Sequence, residues 1–130
     1  MGRLMLVCLG GAIGSGLRYL VSGLAARWLG ADFPYGTFIV NVVGSFLIGL
    51  IQEVGTTTLI IPESTRLFLT VGIMGGLTTY SSFSYETIRL METSAWGQAW
   101  INILATTALC LTVCFLGTAV GRLVVGVRVV

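Results

Sequence analysis

The sequence contains no histidine and no lysine, and only five of its 130 residues are acidic. Without histidine it lacks the side chain most often used for proton transfer near neutral pH and the commonest nitrogen ligand for metals. All seven cations are arginines, and the formal net charge is only +2. Charges this few and this scattered give no footprint for nucleic acid and no polybasic membrane patch. Asp32 and Glu53 sit near loops, and Glu63, Glu86 and Glu92 suggest neither an acid–base pair nor a metal cluster. The three cysteines, Cys8, Cys110 and Cys114, lie in apolar stretches without a base partner. They read as small buried residues with free thiols, not as a disulfide framework or a nucleophile. An enzyme is therefore not expected.

Apolar residues are what the chain has in abundance: 55% hydrophobic against 9% charged, with a mean hydropathy of +0.97. An ordinary soluble domain carries about a quarter of its residues as charges. Four apolar stretches, at roughly 4–29, 37–56, 65–91 and 98–123, are long enough to cross a bilayer. The fold expected is an all-α membrane protein, residues 1–130 forming a single integral membrane domain. The first stretch runs on past Arg18 without a cleavage pattern and reads as a membrane helix, not a leader. Turns are marked by Gly30–Gly36 with its Pro34, by Pro62, and by Glu92–Gly97, with Ser64 a candidate helix N-cap.

Glycine, 18 residues in all, recurs at helical spacing. Gly10 and Gly14, Gly72 and Gly76, Gly117 and Gly121, and Ser45 and Gly49 are each four apart, so small faces let neighbouring helices approach closely. Four short helices enclose little volume, which points to homo-oligomerisation. With four spans, Arg3, Arg66, Arg122 and Arg128 fall on one side of the membrane, and Arg27 and Arg89 on the other. Four against two is a weak bias. It fits an ordinary protein with its N-terminus inside, and it also permits insertion in both orientations.

Polar groups within apolar spans are costly and therefore informative. Arg18 lies midway along the first span and Asn41 along the second. Asn102, Thr106, Cys110 and Cys114 recur every four residues on the fourth, a mildly polar stripe that either glues helices or lines a pathway. The third span contains GGLTTYSSFSYE, residues 75–86. Gly75 and Gly76 weaken a helix there, and a broken membrane helix persists only where its freed backbone is buried in protein or lines a cavity. Freed carbonyls bind cations, and helix N-termini attract anions. Thr78, Thr79, Ser81, Ser82 and Ser84 add hydroxyls, while Tyr80 and Phe83, three apart, share a face and offer positively polarised ring edges. A small hydrated anion could exchange water for such a mixture. A Gly-kinked packing helix with self-satisfied serines is the competing reading.

GGLTTYSSFSYE resembles the third-helix signature of the Fluc (CrcB) fluoride channels, whose pattern is close to GGxTTFSTFSxE. GGAIGSGLRY (10–19) is similar to that family's first-helix glycine run, and YGTFIVNVVGSFLIG (35–49) to its second helix. The resemblance runs through essentially the whole chain. It implies a passive, fluoride-selective channel of the inner (plasma) membrane that exports fluoride and gives fluoride resistance. It also implies four transmembrane helices with a break in the third near 75–80, paired as an antiparallel dual-topology homodimer. The implied fluoride pathway is Asn41, Tyr80, Phe83, Ser81, Ser82, Thr37, Thr106 and Cys110. Gly75 and Thr78 would offer backbone carbonyls to a structural sodium ion at the dimer centre, and Arg18 and Glu86 would have structural or electrostatic roles. Tyr80, Ser82 and Cys110 depart from the family's usual phenylalanine, threonine and serine. A small multidrug-type proton-coupled transporter is the alternative, but such proteins need a membrane-embedded glutamate on the first helix, and residues 4–29 contain no acidic residue.

Overall fold

The computed structural model describes residues 1–129, with side chains through Gly126, so Arg128 of the charge balance lies outside the described side chains. Helices account for nearly all of it, and no strand occurs among the described residues. Helix α1 (Gly2–Leu29) has 28 residues and α2 (Tyr35–Thr57) has 23. At 1.5 Å per residue these are about 42 and 35 Å long, enough to cross a hydrocarbon layer of about 30 Å. Residues 63–77 form α3, followed by α4 (Tyr80–Glu92) and α5 (Trp96–Val129). By length and composition α1, α2 and α5 each suffice to span a membrane, and α3 with α4 makes one interrupted crossing.

Within α3, Phe68–Met74 adopts the wider π-helical turn, and the Gly75 N–H bonds back to the Thr70 carbonyl. The interruption itself is displaced from the glycines. Helical geometry continues through Gly75, Gly76 and Leu77, and the backbone becomes extended only at Thr78 and Thr79. Gly76 serves close approach, not flexibility: a Cβ there would lie 2.5 Å from the Gly11 carbonyl oxygen on α1. Gly10 and Gly72 meet the same way, a Cβ on Gly10 falling 2.8 Å from the Gly72 Cα. Ser64 is no N-cap. The helix begins at Glu63 behind Pro62, with no side-chain cap, because proline already supplies the extended entry and fixed φ.

The four crossings pair off, α1 against α3 and α2 against α5. Gly121 faces the Glu53 side chain at 2.8 Å, measured from its would-be Cβ, and Gly117 faces the Phe46 backbone. Van der Waals contact between backbones, more than buried side-chain volume, joins these helices. The buried apolar cluster is small, built on Val40, Met74 and Leu77, while Leu9, Leu20, Trp28, Leu104 and Phe115 are exposed. Only 11% of the most apolar window of α1 is buried, as fits a surface solvated by lipid. Cys8, expected to be buried, is exposed: it stands two residues, about 200°, around α1 from Gly10, which faces α3.

Both helix ends are chemically marked. At the end carrying the N-terminus, Arg3 pairs with Glu63 at 3.2 Å and Arg122 with Glu53 at 3.1 Å. At the other, Arg89 pairs with Glu92 at 2.9 Å. There α4 closes with a Schellman turn: Ala95 N–H bonds to Leu90 O and Ser94 N–H to Met91 O, with Ser94 at φ 63°.

Candidate functional site

The broken crossing is held open by one side chain. Asn41 on α2 donates its Nδ2–H to the Thr79 carbonyl at 3.1 Å and accepts the Thr79 N–H on Oδ1 at 2.8 Å. This pair of hydrogen bonds fixes the amide's orientation, since the Thr79 carbonyl only accepts and its N–H only donates. It also explains why the helix stops. The Thr79 N–H would otherwise bond the Gly75 carbonyl one turn back, and Asn41 takes it instead. Thr79 then restarts the chain as the N-cap of α4, its hydroxyl accepting the Ser82 N–H at 3.1 Å.

A crevice of about 340 Å³ opens beside this clasp, lined by Asn41, Ser45, Thr78, Thr79, Tyr80 and Phe83 with Thr106, Thr107, Cys110 and Leu111 of α5. The Tyr80 and Phe83 rings lie 5.5 Å apart and tilted by 53°. Phe83 is buried, whereas Tyr80 is 80% exposed and projects from the protomer. Of the residues that the sequence resemblance nominated, Asn41, Tyr80, Phe83, Thr106 and Cys110 thus meet at one place. Ser81 and Ser82 do not line it. Ser81 is exposed, 3.3 Å from the Thr79 hydroxyl, and Ser82 is half-buried with its N–H engaged in the cap.

Thr37 also lies elsewhere. Its hydroxyl donates to Glu86 Oε1 at 2.7 Å, and both residues border a smaller cavity of about 180 Å³ near Gly30 and Tyr35. Glu86 Oε2 is buried with no partner among the described residues. Arg18 is half-buried and makes no ion pair among them.

No cluster of three His, Cys, Asp or Glu side chains occurs among the described residues. The donors open to a cation are backbone oxygens. The Gly75 carbonyl has lost its helical donor to Asn41, and Gly75 is exposed with only the Thr70 oxygen near its missing Cβ, at 3.8 Å. Thr78 is extended, which leaves its carbonyl out of the helical ladder. Such oxygens suit a hard monovalent cation such as sodium.

Sequence reasoning passed over Thr87 and read Asn102 only as part of a stripe that either glues helices or lines a pathway. Asn102 is 2% exposed and donates to the Thr87 hydroxyl at 2.9 Å, while Thr106 donates to its Oδ1 at 3.2 Å. Its place in the four-residue stripe was the available signal. Cys114, from the same stripe, packs on Gly49 instead of the crevice.

Fold and site together define a helical membrane protein whose interrupted crossing borders a narrow, partly polar crevice. A family model described as "CrcB-like protein, Camphor Resistance (CrcB)" matches residues 5–118, and the chain belongs to that family. It is 50% identical over 126 residues to a protein of Anaeromyxobacter sp. (strain K), covering 97% of this chain and 100% of the relative. It is 47% identical over 122 residues to one of Geobacter metallireducens (94% and 98%), and 48% identical over 122 residues to one of Sorangium cellulosum (94% and 96%). Each of these relatives is named a fluoride-specific ion channel, FluC.

Proposed function

We infer that this protein is a fluoride-specific ion channel, passive and not an enzyme, which lets fluoride leave down its electrochemical gradient. The observation that carries this reading is the Asn41–Thr79 clasp, which opens a helix in mid-membrane beside two aromatic rings. The near full-length relatives named as fluoride channels support it. Asn41 Nδ2 has a second hydrogen beyond the one given to Thr79, and the Tyr80 and Phe83 edges add weaker positive poles. Contacts of this strength hold an anion long enough to select it and briefly enough to release it.

The working unit we propose is an antiparallel homodimer in the plasma (inner) membrane, with the protomers inserted in opposite orientations. In support, Tyr80 is exposed beside the crevice and Gly75 presents bare backbone. A second copy against this face would cover both and complete the crevice wall. Gly75 and Thr78 carbonyls from the two copies would hold a sodium ion between them, a structural charge that ties the two breaks together.

Fluoride efflux from liposomes containing the purified protein, with a potassium ionophore present and chloride as control anion, tests the channel. Rapid fluoride loss without chloride loss is expected. Retention of fluoride by liposomes bearing folded protein would refute the assignment. Mass measurement in detergent tests the dimer, which should weigh twice the 13.8 kDa chain.

A further inference from the structure

A relay of hydrogen bonds behind the crevice has a fixed direction. The Phe83 carbonyl can only accept, so the Thr87 hydroxyl, 2.7 Å away, must donate its single proton there. Thr87 Oγ1 is then an acceptor towards Asn102, so the nearby atom of that side chain must be the NH₂ group, at 2.9 Å. The carboxamide oxygen of Asn102 therefore faces Thr106, at 3.2 Å, and there the hydroxyl must donate. All three side chains are buried, at 5%, 2% and 7% exposure. A buried group left unpaired is costly, which favours this one arrangement of the protons.

We propose that Asn102 is a positioning residue that sets the polarity of the crevice wall. It withholds the Thr106 proton from the pathway, so Thr106 turns oxygen lone pairs, not an O–H donor, towards a passing ion. This rests on the fluoride-pathway reading and refines it. A hydroxyl track would be expected to bind fluoride through Thr106, whereas the relay makes that position non-binding for an anion. The crevice then keeps one fewer strong donor, and the ion's residence beside α5 is shorter.

Thr87→Val tests this with an isosteric change behind the wall. The Asn102 amide loses the anchor that fixes its orientation, it can rotate its NH₂ towards Thr106, and the Thr106 proton is released to the crevice. A donor gained by the anion corresponds to roughly a threefold to tenfold change in affinity. In liposome flux measured against fluoride concentration, the half-saturating concentration should fall by that factor and the maximal rate per dimer should fall with it. Asn102→Leu should shift both in the same direction. Neither substitution should shift the half-saturating concentration further in a Thr106→Val background. A purely structural role would lower the yield of folded dimer and leave the half-saturating concentration alone. Parental concentration dependence in both folded variants, or an equal shift with and without the Thr106 hydroxyl, overturns the proposal. Failure of the parent itself to pass fluoride overturns the pathway reading and this inference together.

Discussion

Replacing Asn41 by aspartate changes two atoms' chemistry and almost no volume, and its consequences can be worked from the clasp. The Thr79 N–H keeps an acceptor, now charged. The Thr79 carbonyl, 3.1 Å from Nδ2, faces an oxygen that cannot donate while ionised. One buried hydrogen bond is lost and two acceptor oxygens are left facing each other, a destabilisation of about 1–3 kcal/mol. The effect on a passing anion is larger. A carboxylate about 5 Å from the ion, at an effective dielectric near 20, repels it by about 3 kcal/mol. That corresponds to a fall of roughly a hundredfold in occupancy. The assay is initial fluoride efflux per reconstituted dimer for Asn41→Asp, with folding judged by the elution profile in detergent. Asn41→Ala separates the two terms, since it breaks the clasp without adding charge. A folded Asn41→Asp dimer conducting at the parental rate would show that fluoride does not pass this residue, and the crevice would lose its assignment as the pathway.

Other expectations follow from single contacts. Phe83→Ile removes the buried ring edge at the crevice and should lower fluoride flux at least tenfold by the liposome assay; unchanged flux would take this ring out of the pathway. Thr37→Val leaves Glu86 Oε1 without its donor beside an already unpartnered Oε2. It should destabilise the protein by about 1–3 kcal/mol, read as a lower thermal midpoint in detergent. Gly76→Leu places a side chain where a Cβ alone lies 2.5 Å from the Gly11 carbonyl. It should abolish recovery of folded protein, whereas Arg3→Gln, which breaks the exposed ion pair with Glu63, should alter the midpoint by under about 1 kcal/mol equivalent. Exchanging sodium for N-methylglucamine during purification should slow fluoride efflux, if the Gly75 and Thr78 carbonyls hold the cation.

Local signals carried the outline of the fold. Apolar runs long enough for a bilayer gave the crossings, and GGLTTYSSFSYE located the interruption within a few residues. The glycines misdirected the reason for it. Helix propensity says that Gly75 and Gly76 weaken the helix, yet their neighbourhood stays helical because α1 is pressed against Gly76. The break is imposed from 38 residues away, by the Asn41 side chain, and no local propensity encodes a contact of that range. The same limit applies to the crevice. Asn102, Thr106 and Cys110 stand out as a stripe, but only the position of α4 shows that Asn102 is spent on Thr87 and that Cys110 reaches the cavity. Thr37 and Glu86 are separately conspicuous in sequence; their pairing depends on how α2 and α4 cross.

The hydrogen-bond pattern around the crevice bears on how a channel can be selective and fast at once. A site that offered every nearby donor to an anion would hold it tightly, and conduction requires departure as well as entry. Here the Thr79 N–H and one Asn41 N–H close the clasp, the Ser82 N–H is taken by the helix cap, and the Thr87 and Thr106 protons run inward along the relay. What remains towards the cavity is one carboxamide N–H, the Tyr80, Ser45 and Thr107 hydroxyls, a weak thiol donor at Cys110, and aromatic edges. None of them carries a full positive charge, so the ion is held weakly enough to leave. The donors that build the break are therefore largely withheld from the ion. In this arrangement, adding a donor should slow transport, and removing the clasp should destroy it.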